Sequence, residues 1–186
     1  AIKRAEARGI LFVAAAGNEG ANIDLSEHYY YPSAYRLSNI ISVAATDIHN
    51  ELLPTSNWGK TRVDLTAPGE SIFSTLPGNR TGMMSGTSQA TAFVTGVAAL
   101  LLSENPALKP QEVREIINAS VDPIAGLKDK VLSHGKLNAY AALMRLRSRT
   151  SKPGLQKTLS GISGGRTTAT NTESPGSLLD LLVEGL

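Results

Sequence analysis

The chain has no cysteine. Disulfide staples, thiolate nucleophiles and cysteine-ligated zinc are therefore excluded, and stability has to come from packing. Aromatic residues are scarce at 5%, with a single Trp, and none follows Tyr140. An excess of one charge is missing as well. The 18 Lys+Arg against 16 Asp+Glu leave a formal net charge of +2, too little to make nucleic acid or an anionic membrane the expected partner. No apolar run approaches the roughly 18 residues of a membrane-spanning helix. The opening stretch A-I-K-R-A-E-A-R has neither an initiator Met nor a charged-then-apolar leader, so the start reads as cut and further upstream sequence is expected. What remains, 186 residues, is about one domain's worth of ordinary globular sequence.

Ala1–Arg8 reads as an exposed helix end stopped by Gly9, which can take the left-handed conformation at a helix C-terminus. The run Ile10–Ala16, closed by Gly17-Asn18, suits a strand buried on both faces, and Ile40–Ala45 repeats the pattern. Together with the helical segments downstream, such strands predict an α/β fold whose parallel sheet is covered on both sides. From Ser88 to Asn105 the sequence is small or apolar nearly all round, predicting a helix enclosed by protein. Pro110 opens a second helix with Val113, Ile116 and Ile117 on one face. A third, Leu137–Leu146, carries Leu137, Tyr140, Ala141 and Met144 at offsets of three and four and ends in Arg145, Arg147 and Arg149. Between Ser151 and Ser177, 17 of 27 residues are Ser, Thr, Gly or Pro, a composition that cannot build a core. The expected division is a domain over 1–147 and a flexible tail over 148–186 ending in the short apolar segment S-L-L-D-L-L-V-E-G-L.

Two stretches can carry chemistry. In M-S-G-T-S-Q-A-T-A-F-V-T-G, Met84–Gly96, Ser88 stands where a glycine-containing loop enters a buried helix. There its hydroxyl meets unpaired first-turn N–H groups and the positive end of the helix dipole, a setting for a nucleophile with an oxyanion donor beside it. The commoner job of such a Ser is simply to cap the helix. In V-A-A-A-G-N-E-G, Val13–Gly20, a strand delivers Asn18 into a turn. Its amide is a fixed donor for an oxyanion, or else it serves turn geometry alone.

Taken together, A-A-G-N-E-G followed by G-T-S-Q-A resembles the subtilisin-like serine proteases, the subtilases. Y-P-S-A-Y (31–35), I-I-S-V-A-A-T-D (40–47), S-N-W-G (56–59), D-L-T-A-P-G (64–69), S-T-L-P-G (74–78) and H-G-K-L-N-A-Y-A-A-L (134–143) are similar to that family in the same order. The resemblance implies a subtilisin-like parallel sheet flanked by helices, present only as its C-terminal half. It implies a serine-type endopeptidase with Ser88 as nucleophile, and an oxyanion hole made by the Asn18 side chain and the Ser88 backbone N–H. It also places Ala15, Ala16, Gly17, Glu19 and Tyr30 around the pocket for the side chain before the cleaved bond. Glu19 there would favour basic side chains, and Tyr30 would shorten the pocket.

The chain departs from the family in two ways. Where the family has Pro-His it has Ala92-Phe93, read as an added buried aromatic. In the family the triad's Asp and His precede the A-A-G-N stretch, and the chain contains neither D-[ST]-G after an apolar strand nor H-G-T-H. His28, His49 and His134 read as surface or turn residues. A Ser without a base is a poor nucleophile, so the chain alone is expected to be inactive and to need the missing N-terminal half of the domain as its partner. Protein or peptide substrates, no nucleic acid and no required cofactor complete the expectation, with calcium admitted at a site near Asp47. Export from the cell is the expected address. The competing reading is a non-catalytic, protease-like peptide-binding or structural module.

Overall fold

The computed structural model describes residues 1–150. The expected tail lies outside the described residues. A short helix α1 (Ile2–Glu6) leads through Gly9, at φ +72, into strand β1 (Phe12–Ala15). Next come β2 (Ile40–Thr46), β3 (Leu65–Pro68), the hairpin β4 (Ile72–Leu76) and β5 (Arg80–Met84), and helices α2 (Thr87–Glu104) and α3 (Pro110–Asn118). Two-residue strands β6 (Asp122–Pro123) and β7 (Gly135–Lys136) and the helix α4 (Ala139–Thr150) complete the order. The main sheet runs β1-β2-β3-β7-β6, with β1, β2, β3 and β7 parallel and β6 antiparallel to β7. The hairpin forms a separate two-stranded sheet.

Every residue of β2 is buried, as its I-I-S-V-A-A-T run requires. On one face Ala44 packs with Ile23, Val63, Leu127 and Val131. The α2 helix lies against β1, β2 and β3. Its buried residues Thr87, Ala90, Val94, Val97, Ala98 and Leu101 recur at three and four, which is one helical face. The opposite face, with Ala92, Phe93, Thr95, Gly96 and Ala99, is exposed. The expectation of a helix enclosed all round is thereby corrected, and so is that of a buried Phe93, which is 43% exposed. Small and apolar residues are compatible with burial, but a cover has to be supplied, and no described residue supplies one there.

In α3 the Glu112 carboxylate accepts from the Lys109 N–H at 2.9 Å, closing the first turn, while Val113, Ile116 and Ile117 are buried as expected. The last helix differs in phase. Asn138 Oδ1 accepts from the Ala141 N–H at 2.8 Å, which starts the helix after Leu137. Ala142, Leu143 and Leu146 are the buried stripe, leaving Tyr140 63% and Met144 43% exposed. A buried ion pair ties α3 to the sheet. Asp64, just before β3, accepts from Arg114 Nε and Asn118 Nδ2, each at 2.8 Å, and from the Ser42 N–H at 2.8 Å. Both carboxylate oxygens are thus satisfied, which a charge with only 3% side-chain exposure requires.

Candidate active site

The end of β1 and the start of α2 meet although about seventy residues separate them in sequence. Gly17, at φ +106, turns the chain out of the strand. A Cβ there would lie 2.3 Å from Asn57 Nδ2, 2.7 Å from Glu19 Oε2 and 2.9 Å from Tyr30 Cδ2, so only glycine fits. At the other side Gly86, φ +148, precedes the first turn of α2. Thr87, fully buried, joins the two. Its N–H donates to Asn18 Oδ1 at 2.9 Å, its hydroxyl lies 3.1 Å from the same oxygen, and that hydroxyl accepts from the Gly17 N–H at 3.2 Å. An N–H needs an acceptor, so the network fixes which end of the Asn18 carboxamide faces Thr87. The oxygen is held inward, and the Nδ2 donors are left to face away from it.

Ser88 is the second residue of α2, not its cap. Gly86 holds the cap position, and no side chain caps the helix. Ser88 is exposed, and among the described residues none hydrogen-bonds its hydroxyl or its backbone N–H. That N–H belongs to the first turn, which has no carbonyl within the helix to accept it. The side chain lines a cavity of about 590 Å³ together with Gln89, Met84, Leu76, Phe93 and Leu100. Asn18 and Ser88 are thus brought to one place through Thr87. The arrangement offers a hydroxyl, a free N–H and an anchored amide at the positive end of an 18-residue helix.

Among the expected pocket residues, Ala15 ends β1 and Ala16 is fully buried. Asn57, buried to 1%, organises the rest. It accepts from the N–H groups of Glu19 and Ala21 at 3.1 and 2.9 Å, and donates to the Ala16 carbonyl at 3.0 Å and to Glu19 Oε2. Tyr30 sits on a loop clamped from below: Arg62 donates to the Ala34 carbonyl at 2.6 Å and to Tyr29 Oη at 2.7 Å, with its guanidinium 4.1 Å over the Tyr29 ring. Thr87 and Asn57 are the two residues that sequence reasoning did not single out. Their signal was only their place inside G-T-S and S-N-W-G.

His28, His49 and His134 are exposed, and none bonds Ser88. Asp47 accepts from the N–H groups of His49 and Glu51 at 2.9 and 2.8 Å, a turn-forming role. The described residues include no group of three or more Asp, Glu, His or Cys placed to hold a metal ion.

The subtilase family model matches residues 1–157. The chain belongs to the subtilase family. It is 39% identical over 143 residues to a thermophilic serine proteinase of Bacillus sp. (strain AK1), an alignment covering 77% of this chain and 33% of the relative. It is 44% identical over 103 residues to the major intracellular serine protease of Bacillus subtilis (strain 168), covering 55% and 31%. Two solved structures match at TM-scores of 0.67 and 0.68: the self-cleaved protease domain of PatA, 37% identical, and the subtilase cytotoxin SubAB assembly, 32% identical. The matches cover 79% and 83% of this subtilase and 54% of each of those chains. The chain therefore spans about a third of these curated relatives and about half of these solved chains. One relative is named intracellular, so membership of the family does not assign a compartment. No helix among the described residues is long and apolar enough to cross a membrane.

Proposed function

We propose that this chain carries the nucleophile and oxyanion hole of a serine endopeptidase. The observation that carries the reading is Thr87, which holds the Asn18 amide by its oxygen one residue before Ser88. In the proposed reaction Ser88 Oγ attacks the scissile carbonyl and its proton passes to a base. The tetrahedral intermediate's oxygen accepts from the Ser88 N–H and from Asn18 Nδ2, and expulsion of the amine leaves an acyl group on Ser88. Donors fixed beforehand stabilise charge where it develops and need no reorganisation at that moment.

The base is the part this chain's own histidines are not placed to provide. We assign it to the N-terminal part of the same domain, packed against two open surfaces. One is the free edge of β1, where the N–H groups of Phe12 and Ala16 are taken by the β2 side and those of the alternate residues face outward. The other is the apolar face around Phe93, Met84 and Leu76. For the substrate, Glu19 is engaged by Asn57 and Tyr30 crowds Gly17. Glu19 keeps its negative charge in accepting that bond and favours a basic side chain before the cleaved bond, while Tyr30 shortens the pocket.

The test is covalent labelling by a fluorophosphonate. In the presence of the complementary N-terminal segment Ser88 is labelled and Ser88→Ala is not, while absence of labelling in that assembly leaves only the peptide-binding reading. Once turnover is measurable, Asn18→Ala is expected to lower kcat by about 10²–10³ with little change in KM. That magnitude belongs to the corresponding amide of a subtilisin and is borrowed from it.

A further inference from the structure

A second concavity, of about 440 Å³, opens between residues 33–38 and α3, with Tyr35, Arg36, Arg62, Asp64 and Arg114 in its lining. It shares no lining residue with the cavity beside Ser88. Its lining includes Arg36, Arg62, Arg114 and Asp64, a net charge of +2. The four groups are not equivalent. Asp64 is saturated, with Arg114, Asn118 and the Ser42 N–H occupying both its oxygens. Arg62 is committed to Ala34 and Tyr29. Arg114 is different, because only its Nε is engaged. Its side chain is 30% exposed, and no described residue accepts from its Nη groups. Arg36 is exposed and makes no hydrogen bond or ion pair with any described residue.

A guanidinium held by its Nε to a buried carboxylate cannot turn freely, which leaves Arg114, a lining residue of the cleft and of the cavity beside it, with an unengaged Nη fork of restricted orientation. Such a fork matches a carboxylate or phosphate two-to-two, and prior fixation removes the entropy cost of ordering a long side chain on binding. Asp64 does not repel an incoming anion as a free carboxylate would, because Arg114 already neutralises it. Glu115 lines the neighbouring cavity, which shares Ser38, Arg114 and Leu132 with this one, and does not line the cleft itself.

We propose that this cleft binds a compact oxyanion, a carboxylate or a phosphate, between the Nη groups of Arg114 and the guanidinium of Arg36. The measurement is equilibrium dialysis of the full 186-residue chain against radiolabelled inorganic phosphate and, separately, labelled acetate, at fixed ionic strength set with chloride. Saturable binding of about one equivalent is expected. Arg36→Gln, an exposed substitution, should weaken it about tenfold, as loss of one charge-assisted contact implies. Arg114→Lys, which keeps the charge beside Asp64 but removes the fork, should weaken it as well, and Arg145→Gln should leave it unchanged. Binding of phosphate alone identifies a phosphorylated ligand, and binding of both anions admits acidic peptides; either supports the site. Failure to saturate, or equal affinity in wild type and Arg36→Gln, overturns it.

Discussion

Thr87 shows how much one side chain can decide at the candidate site. Its hydroxyl and N–H hold Asn18 Oδ1, and the same hydroxyl satisfies the Gly17 N–H. Thr87→Val preserves shape but leaves the Gly17 N–H and the Asn18 oxygen short of a partner. The expected loss is about 1–3 kcal/mol of unfolding free energy in a urea titration, with Thr87→Ser retaining most of it. If valine costs nothing, the hydroxyl bonds do not matter. Asp129 gives a residue-scale pH prediction. Its carboxyl lies below the usual carboxylate range, held there chiefly by the hydrogen bond from Lys60 Nζ at 2.7 Å and by that ammonium's charge. A lowered folded-state value favours the folded chain above the ordinary carboxylate pKa, an advantage lost as pH falls through the lowered one. Lys60→Gln should therefore move the Asp129 titration up toward the ordinary value, read by carbonyl chemical shift. The group is fully exposed, so little change in overall stability should accompany it.

The helices make a different point, because amphipathic spacing and actual burial part company in two of them. In α4 the apolar residues Tyr140 and Met144 satisfy helical spacing, yet the leucine stripe at 143 and 146 is what packs. The cap at Asn138 sets the phase, and only neighbouring elements choose between two stripes. In α2 the apolar character runs round the helix, and one face remains open. Leu101 and Phe93 are then expected to behave oppositely to their size. Leu101→Ala, at a fully buried position, should cost about 2–5 kcal/mol. Phe93→Ala, at 43% exposure, should cost the isolated chain under about 1 kcal/mol. Denaturant midpoints of the two variants decide this, and a large loss for Phe93→Ala would mean that the open face is covered. If the N-terminal segment packs on this face as proposed, the same Phe93 variant should weaken its association. By contrast α3, with one apolar stripe, a Pro at its first position and an acidic residue to close the turn, was legible from sequence because its signals do not compete.

At the scale of the molecule, the described residues present an outer sheet edge at β1, a central helix with one exposed face, and no histidine bonded to Ser88. On the reading proposed above, each of these would be met by the N-terminal segment of the domain. Adding the N-terminal segment should together raise the melting temperature and bring fluorophosphonate labelling of Ser88, whereas one without the other would separate folding from catalysis. The sequence by itself determined the buried strand β2, the helices and the glycine-flanked stretches around Asn18 and Ser88, because apolar runs, turn residues and motif order are local properties of a chain. The run Ile10–Ala16, expected to be buried on both faces, forms a strand only over Phe12–Ala15 and is mostly half-buried, with Ile10 49% exposed. Tertiary structure alone decided that the Asn18 amide is gripped by Thr87, that Asp64 fixes Arg114, and which stripe of α4 is buried. Those outcomes depend on which distant segments the crossing of β1, β3, α2 and α3 brings within hydrogen-bond reach, and spacing along the chain carries no record of that.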